Sequence, residues 1–238
     1  MKVYYDLHIH SCLSPCGEEE MTPNNILNMA MIKGLDLIAI ADHNASQNVV
    51  AAMAIAKKRD ILVVPAMELQ TSEEVHLLCL FKTLDQLIEF QSIVDQHLLP
   101  IPNNEKKFGR QLILDEEDEI IGQISHSLLF STTLNFEMAV ESVRRCGGFV
   151  LPAHINRQSN GVMSVLGFIP EGMNFTTVEI SNDEIGARFL ESYKDKERYR
   201  IIRDSDAHQL ESISEREFFM ELPSRDIDSV FAYLEAKL

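Results

Sequence analysis

The chain contains no apolar run near the length needed to span a bilayer, so no membrane-spanning helix is expected. Its N-terminus lacks a basic flank followed by an apolar stretch, so no secretory leader is visible. A strand-like segment beginning almost at Met1 leaves no room for one. Cysteine is scarce. Cys12, Cys16, Cys79 and Cys146 form no disulfide-scaffold pattern in a chain of 238 residues. These absences together point to a reducing cytoplasm. Positive charge is short as well, with 21 Lys and Arg against 37 Asp and Glu, a formal net charge of -16. That argues against a grip on long nucleic acid through a basic surface. It leaves room for a small anionic substrate, because bound metal ions can reverse the sign of a local field. No internal repeat and no linker divides the chain, so residues 1–238 read as one domain.

Strands and helices alternate through the first hundred residues. Val3 to Ile9 is β-branched and aromatic, which predicts a strand. Thr22 caps a helix with Pro23 at its first position, and Gly34 ends it. Leu35 to Ala41 is apolar apart from Asp36, as in a strand buried on both faces. Ser46 opens an alanine-rich helix. Ile61 to Met67 and Val75 to Phe81 are the next strands, and Thr83 caps the helix after them. The pattern indicates parallel βα units. It breaks between 100 and 130, where two short apolar segments flank Asp115-Glu116-Glu117-Asp118 and predict a hairpin-like insertion. Thr133 begins a further helix. Strands follow at Phe149 to Ala153, Thr177 to Ile180 and Tyr199 to Arg203, then Phe218 to Leu222, with Ser224 capping the last helix.

The polar residues fall at the ends of these strands. His8 and His10 lie two apart on one strand and so share a face. His43, Glu68, His154, Asp206 and His208 sit at or just past the ends of others. In parallel α/β barrels that end is where ligands bind. One such histidine is unremarkable in a packed protein, but seven ligand-type residues gathered from several strands point to a metal centre.

Asp6-Leu7-His8-Ile9-His10-Ser11, Ala41-Asp42-His43, Met67-Glu68, His76, Pro152-Ala153-His154 and Ser205-Asp206-Ala207-His208 occur in that order across nearly the whole chain. In this the sequence resembles the PHP family, the polymerase and histidinol phosphatase superfamily of metal-dependent phosphoesterases. The resemblance implies a distorted (β/α)7 barrel with nine ligands around three metals. His8, His10, Glu68 and Asp206 would hold one ion. Glu68, His76 and His154 would hold a second. His43, His208 and a loop residue after His10 would hold the third. That loop position is usually His or Asp, and here Cys16 stands in its place. A thiolate suits Zn²⁺ or Fe²⁺ and is a poor ligand for Mg²⁺.

The expected cofactor is therefore two or three divalent transition metals, zinc, iron or manganese. The expected reaction is hydrolysis of a small phosphate monoester, a nucleotide or a histidinol-phosphate-like compound, by a hydroxide bridging two metals. Asp206 or His208 would pass a proton. Arg157, three residues past His154, and His126, in the insertion, are the candidate substrate-binding residues. Asp42 and Glu179 are expected to orient metal-bound imidazoles. His97 ends a helix and carries no assigned function. An amide or lactone hydrolase using the same hydroxide, and a non-catalytic domain stabilised by metal, are the competing readings.

Overall fold

The computed structural model describes residues 1–238. The strands are β1 (Lys2–Ile9), β2 (Leu37–Ile40), β3 (Leu62–Gln70), β4 (His76–Leu80), β5 (Leu112–Leu114), β6 (Ile120–Gln123), β7 (Phe149–Pro152), β8 (Thr177–Ser181), β9 (Arg200–Asp204) and β10 (Phe219–Glu221). The helices are α1 (Pro23–Ile32), α2 (Gln47–Ala56), α3 (Leu84–Asp95), α4 (Glu105–Phe108), α5 (Phe136–Arg145), α6 (Val162–Val165), α7 (Glu184–Ser192) and α8 (Ile227–Glu235). No helix is long and apolar enough to cross a membrane.

Six strands make one curled sheet in the order β10-β1-β2-β3-β4-β7, and β8 pairs with β9 in a separate parallel ribbon. The ribbon meets β7 through the Ile155 N–H to Glu179 O bond at 2.9 Å, and β1 through His10 N–H to Ala207 O at 2.9 Å. The ladders thus describe a half-barrel with a loosely joined pair. They do not extend to the closed seven-stranded barrel expected from the sequence.

The expectation of parallel units needs correction at β4, which runs antiparallel to both β3 and β7. The segment between β3 and β4 is too short for a crossover, since parallel neighbours need a dozen or more connecting residues. It turns back on itself instead, with Thr71 N–H bonded to Val75 O and Glu74 at φ 68°. The insertion does form a hairpin, β5 against β6, around Asp115–Asp118. It is tied to the loop after His10 by Leu112 N–H to Cys12 O at 3.1 Å.

Local signals place most helix starts. Thr22 caps α1, and Thr83 caps α3 with a reciprocal bond from Gln86. Ser46 precedes α2 without capping it, because its hydroxyl donates to Gln91 at 2.8 Å. Asn135 caps α5 and Asp226 caps α8, each two residues after the predicted Thr133 and Ser224.

Both faces of the sheet are buried. Ile38, Ile40 and Cys79 face the helices with Ile26, Val49 and Phe90, while Leu37, Ala39, Leu78 and Leu151 line the inside of the curl, closed below by Val230, Phe231 and Leu234 of α8. This two-sided burial is why Leu37–Ile40 reads as a continuous apolar run.

Candidate metal centre

A bulge in β1 aims the first two ligands. Asp6 pairs with Ile38 and Ile9 with Ile40, so Leu7 and His8 together oppose Ala39 alone. The extra residue reverses the alternation. Tyr5 and Leu7 face the interior of the curl, Ile9 faces the helices, and His8 and His10 turn inward.

Glu68 lies within β3 rather than at its end, because the antiparallel partner β4 carries the ladder on to Gln70. The same reversal puts His76, the first residue of β4, at the mouth where the other strands end. His154 and Asp206 follow β7 and β9 with φ of 26° and 51°, left-handed conformations that cost free energy in non-glycine residues and gather at functional sites.

Glu68 stands at the centre. Its Oε1 lies 2.7 Å from His76 Nδ1, 2.9 Å from His154 Nε2 and 3.3 Å from His8 Nε2. Its Oε2 lies 2.7 Å from His43 Nδ1 and 3.4 Å from His10 Nε2. Asp206 Oδ1 lies 2.8 Å from His10 Nε2 and 3.6 Å from His8 Nε2. Burial alone would raise both carboxyls, but His76, His8 and His43 around Glu68 and His8 and His10 around Asp206 hold them well below the carboxylate range.

Three sets of potential ligand atoms lie within 4.8 Å of one another: His8, His10, Glu68 and Asp206; His43, Glu68 and His76; and His10, His43 and His208. The donor set tests well against a cation. Glu68 Oε2 and Asp206 Oδ1 are buried with no hydrogen-bond donor, although ring nitrogens approach them at 2.7 and 2.8 Å out of alignment for an N–H bond. Orphaned acceptors facing imidazole nitrogens are what a site for a divalent ion supplies.

The surrounding residues hold the imidazoles. His8 Nδ1 donates to Glu179 at 2.9 Å, and His208 Nδ1 donates to the carbonyl of Asp206 at 2.8 Å. In the neutral rings this leaves both Nε2 lone pairs free. Asp42 touches no histidine side chain. It accepts from Ser11 Oγ at 2.6 Å and from Ser14 Oγ at 2.6 Å.

The mouth above the cluster is a cavity of about 280 Å³, lined by Cys16, His43, His76, His154, Asp206 and His208 together with Gln70, Leu129, Arg157, Ser159 and Asn160. Arg157 lies on the mouth, paired with Asp206. Cys16 lies at the rim, exposed, outside the three ligand sets. Partial desolvation of its sulfur against the mouth pushes the thiol up, but His43 and His208 outweigh that and bring it to about 7. His126 lies away from the mouth. It bridges to Pro102 and lines a separate surface cavity with Leu98 and Pro100. Three residues on, Leu129 lines the mouth. Gln70, which no motif in the sequence marks, also lines the mouth. It lies two residues past Glu68, and strand alternation could have placed it on the same face.

No family model matches the chain. An uncharacterised protein of Methanocaldococcus jannaschii is 34% identical over 76 residues, covering 29% of this chain and 44% of that one. The lesion-specific endonuclease PfuEndoQ of Pyrococcus furiosus superposes with a TM-score of 0.73 at 19% identity, over 99% of this chain and 56% of its own. A structure of Endonuclease Q in complex with a 27-mer duplex, an abasic lesion at the active site, gives 0.70 at 19% identity, over 99% and 57%. A two-domain protein of Bacteroides vulgatus containing a predicted PHP-like metal-dependent phosphoesterase gives 0.58 at 16% identity, over 99% and 63%. The chain therefore spans about half the length of the curated relative and of Endonuclease Q. These structures bear out the resemblance to the PHP family at the level of the fold.

The likeness to Endonuclease Q overturns one expectation. Net charge led to a small phosphorylated partner and set long nucleic acid aside, yet this fold takes duplex DNA in Endonuclease Q. The physical reason is that net charge sums the whole surface, whereas a strand responds to the local field at the mouth.

Proposed function

We propose that this chain, whose fold is that of the PHP-like metal-dependent phosphoesterases, hydrolyses phosphodiester bonds of DNA at damaged nucleotides. The observation that carries the hydrolytic reading is the convergence of His8, His10, Glu68 and Asp206, with their donorless carboxylate oxygens, beneath an open mouth. The likeness to Endonuclease Q over 99% of this chain supports the substrate class.

In this reading His8, His10, Glu68 and Asp206 hold one ion, and Glu68, His76 and His154 hold a second. His43 and His208, with His10 or Cys16, hold a third. So many imidazoles suit zinc, iron or manganese over magnesium. Bound divalent ions supply Lewis acidity, which acidifies water and offsets charge on the phosphoryl oxygens.

The chain's own groups do the rest. Arg157 offers two parallel N–H donors to a phosphate oxygen pair at the mouth. His208 has Nδ1 engaged with the Asp206 carbonyl, which leaves Nε2 to the third ion; with that ion absent, the same nitrogen would hold or release a proton beside the leaving oxygen. Asp206 shares its carboxylate between the cluster and Arg157 and so couples the two. Residues 1–238 act as one domain with 100–130 as an insertion, a reading supported by the bonds of Leu112 and Arg110 to the loop after His10.

The test is incubation of metal-defined protein with end-labelled duplexes, intact or carrying one abasic or deaminated nucleotide. The expected result is a single metal-dependent cut at the lesion. No cleavage of any duplex with zinc, iron or manganese overturns the reading.

A further inference from the structure

We infer that Ser14, backed by Asp42, is a positioning residue that fixes the tautomer of His10 and so turns the Nε2 lone pair of that ring towards the cluster. The inference rests on the metal-centre reading. It follows from counting protons. Ser14 is fully buried, and its Oγ lies 2.6 Å from Asp42 Oδ1, 2.9 Å from His10 Nδ1 and 3.1 Å from the backbone N of His43.

A hydroxyl has one proton to donate and two lone pairs to accept with. The N–H of His43 can only donate, so it takes one lone pair. Asp42 is satisfied as an acceptor on both oxygens. Its Oδ1 also receives Ser11 N–H at 2.7 Å, and its Oδ2 receives Ser11 Oγ at 2.6 Å. The Ser11 proton has no other destination, since Ser11 Oγ itself accepts from Asn48 Nδ2 at 2.9 Å and from Leu13 N at 3.2 Å. Burial pushes the Asp42 carboxyl up, but the Ser11 N–H and the Ser11 hydroxyl proton, whose directions are fixed independently, occupy both of its oxygens, and a carboxylate so placed only accepts. The Ser14 proton therefore goes to Asp42.

One lone pair of Ser14 remains, and it can only receive a proton from His10 Nδ1. A neutral imidazole with its proton on Nδ1 carries its lone pair on Nε2. That atom lies 2.8 Å from Asp206 Oδ1, 3.2 Å from His8 Nε2 and 3.4 Å from Glu68 Oε2. His8 reaches the same state by a direct bond to Glu179, whereas His10 reaches it through a hydroxyl.

The loop is shaped for this. Ser14 N–H bonds Ser11 O at 3.1 Å and Gly17 N–H bonds Ser14 O at 2.9 Å, two successive tight turns. A Cβ on Gly17 would stand 2.4 Å from Ser11 O, so the second turn needs glycine.

The chain has only eight histidines, so long-range proton–nitrogen NMR on metal-free protein can read the His10 tautomer directly. The expected result for wild type is the proton on Nδ1. Asp42→Ala removes the acceptor and leaves the Ser14 proton free to turn towards His10 Nδ1, so the ring should lose its preference for the Nδ1-protonated form. Ser14→Ala should release the preference and weaken zinc binding roughly 10- to 100-fold, the usual cost of losing such a support. Ser14→Thr keeps the hydroxyl and should restore both. Wild-type protein that takes up no metal overturns the metal-centre reading. Protein that binds metal but shows His10 protonated on Nε2, or Ser14→Ala equal to wild type in tautomer and affinity, overturns this inference alone.

Discussion

At the scale of single residues, Glu68 has the most demanding position. Two of the three ligand sets include it, and both its oxygens face histidine nitrogens. Glu68→Gln keeps the shape and removes the charge, so it should release metal from both sets and lower activity by about two orders of magnitude or more. Elemental analysis beside circular dichroism separates metal loss from unfolding. Arg157→Ala should instead raise the KM for damaged duplex about tenfold, the scale of a single charge-assisted hydrogen bond, with metal content intact. Steady-state kinetics on metal-assayed protein checks this. Cys16 offers a pH test. A thiol held at about 7 gains thiolate as pH rises through 7, so alkylation by iodoacetamide should climb between pH 6 and pH 8 and then level off. Added zinc should slow it. Cys12 is buried and pushed up to about 12, so mass spectrometry should find it unmodified over the same range.

At the scale of elements, the caps carry readable free energy. Asp183 opens α7, accepting from Gly186 N–H at 2.7 Å and from Ser181 Oγ at 2.8 Å. Burial raises its pKa, and these donors overcome that and lower it. A depressed folded pKa means the stabilisation is complete above the unfolded value and is lost as pH falls through the folded one. Asp183→Ala should cost about 1 kcal/mol at pH 7, and the difference should fade in acid. Urea denaturation at both pH values measures it. Element starts such as Thr22-Pro23 and Thr83 with Gln86 were legible because a cap bonds within its own first turn. The direction of β4 was legible too, since Thr71–Val75 is too short for a crossover; its pairing with β7 was not, because that edge comes from far along the chain.

At the scale of the whole molecule, the net charge of -16 and the proposed DNA substrate must be reconciled. Lys106 and Lys107 sit on α4 of the insertion, exposed and outside the ion pairs, whereas Arg110 nearby is held by Glu19 at 3.2 Å. Glu19 follows Glu18, whose N–H bonds the carbonyl of His208, so the basic segment is joined to the rim. Charge reversal at both lysines should weaken duplex binding and lower the salt slope by about 2, near 0.9 for each phosphate no longer neutralised. Titrations at several salt concentrations read this, with metal content as the control. An unchanged slope would place the strand elsewhere on the mouth.

The chemistry of the centre was set by local sequence. His8 and His10 share a face because strand residues two apart always do, and His43, His154, Asp206 and His208 follow strands whose apolar runs are visible in the chain. Only the tertiary structure decided which face, since the bulge at Leu7 and His8 arises from pairing with β2. It set His76 opposite Gln70 in the β3–β4 ladder, with its ring on Glu68, and placed His126 away from the mouth, paired with Pro102. It also made a support of Ser14, whose partners Asp42 and His43 lie far along the chain. Periodicity and capping act between near neighbours and survive in the sequence. Register, distant strand pairing and the destination of a hydroxyl proton are set by residues that meet only when the chain has folded.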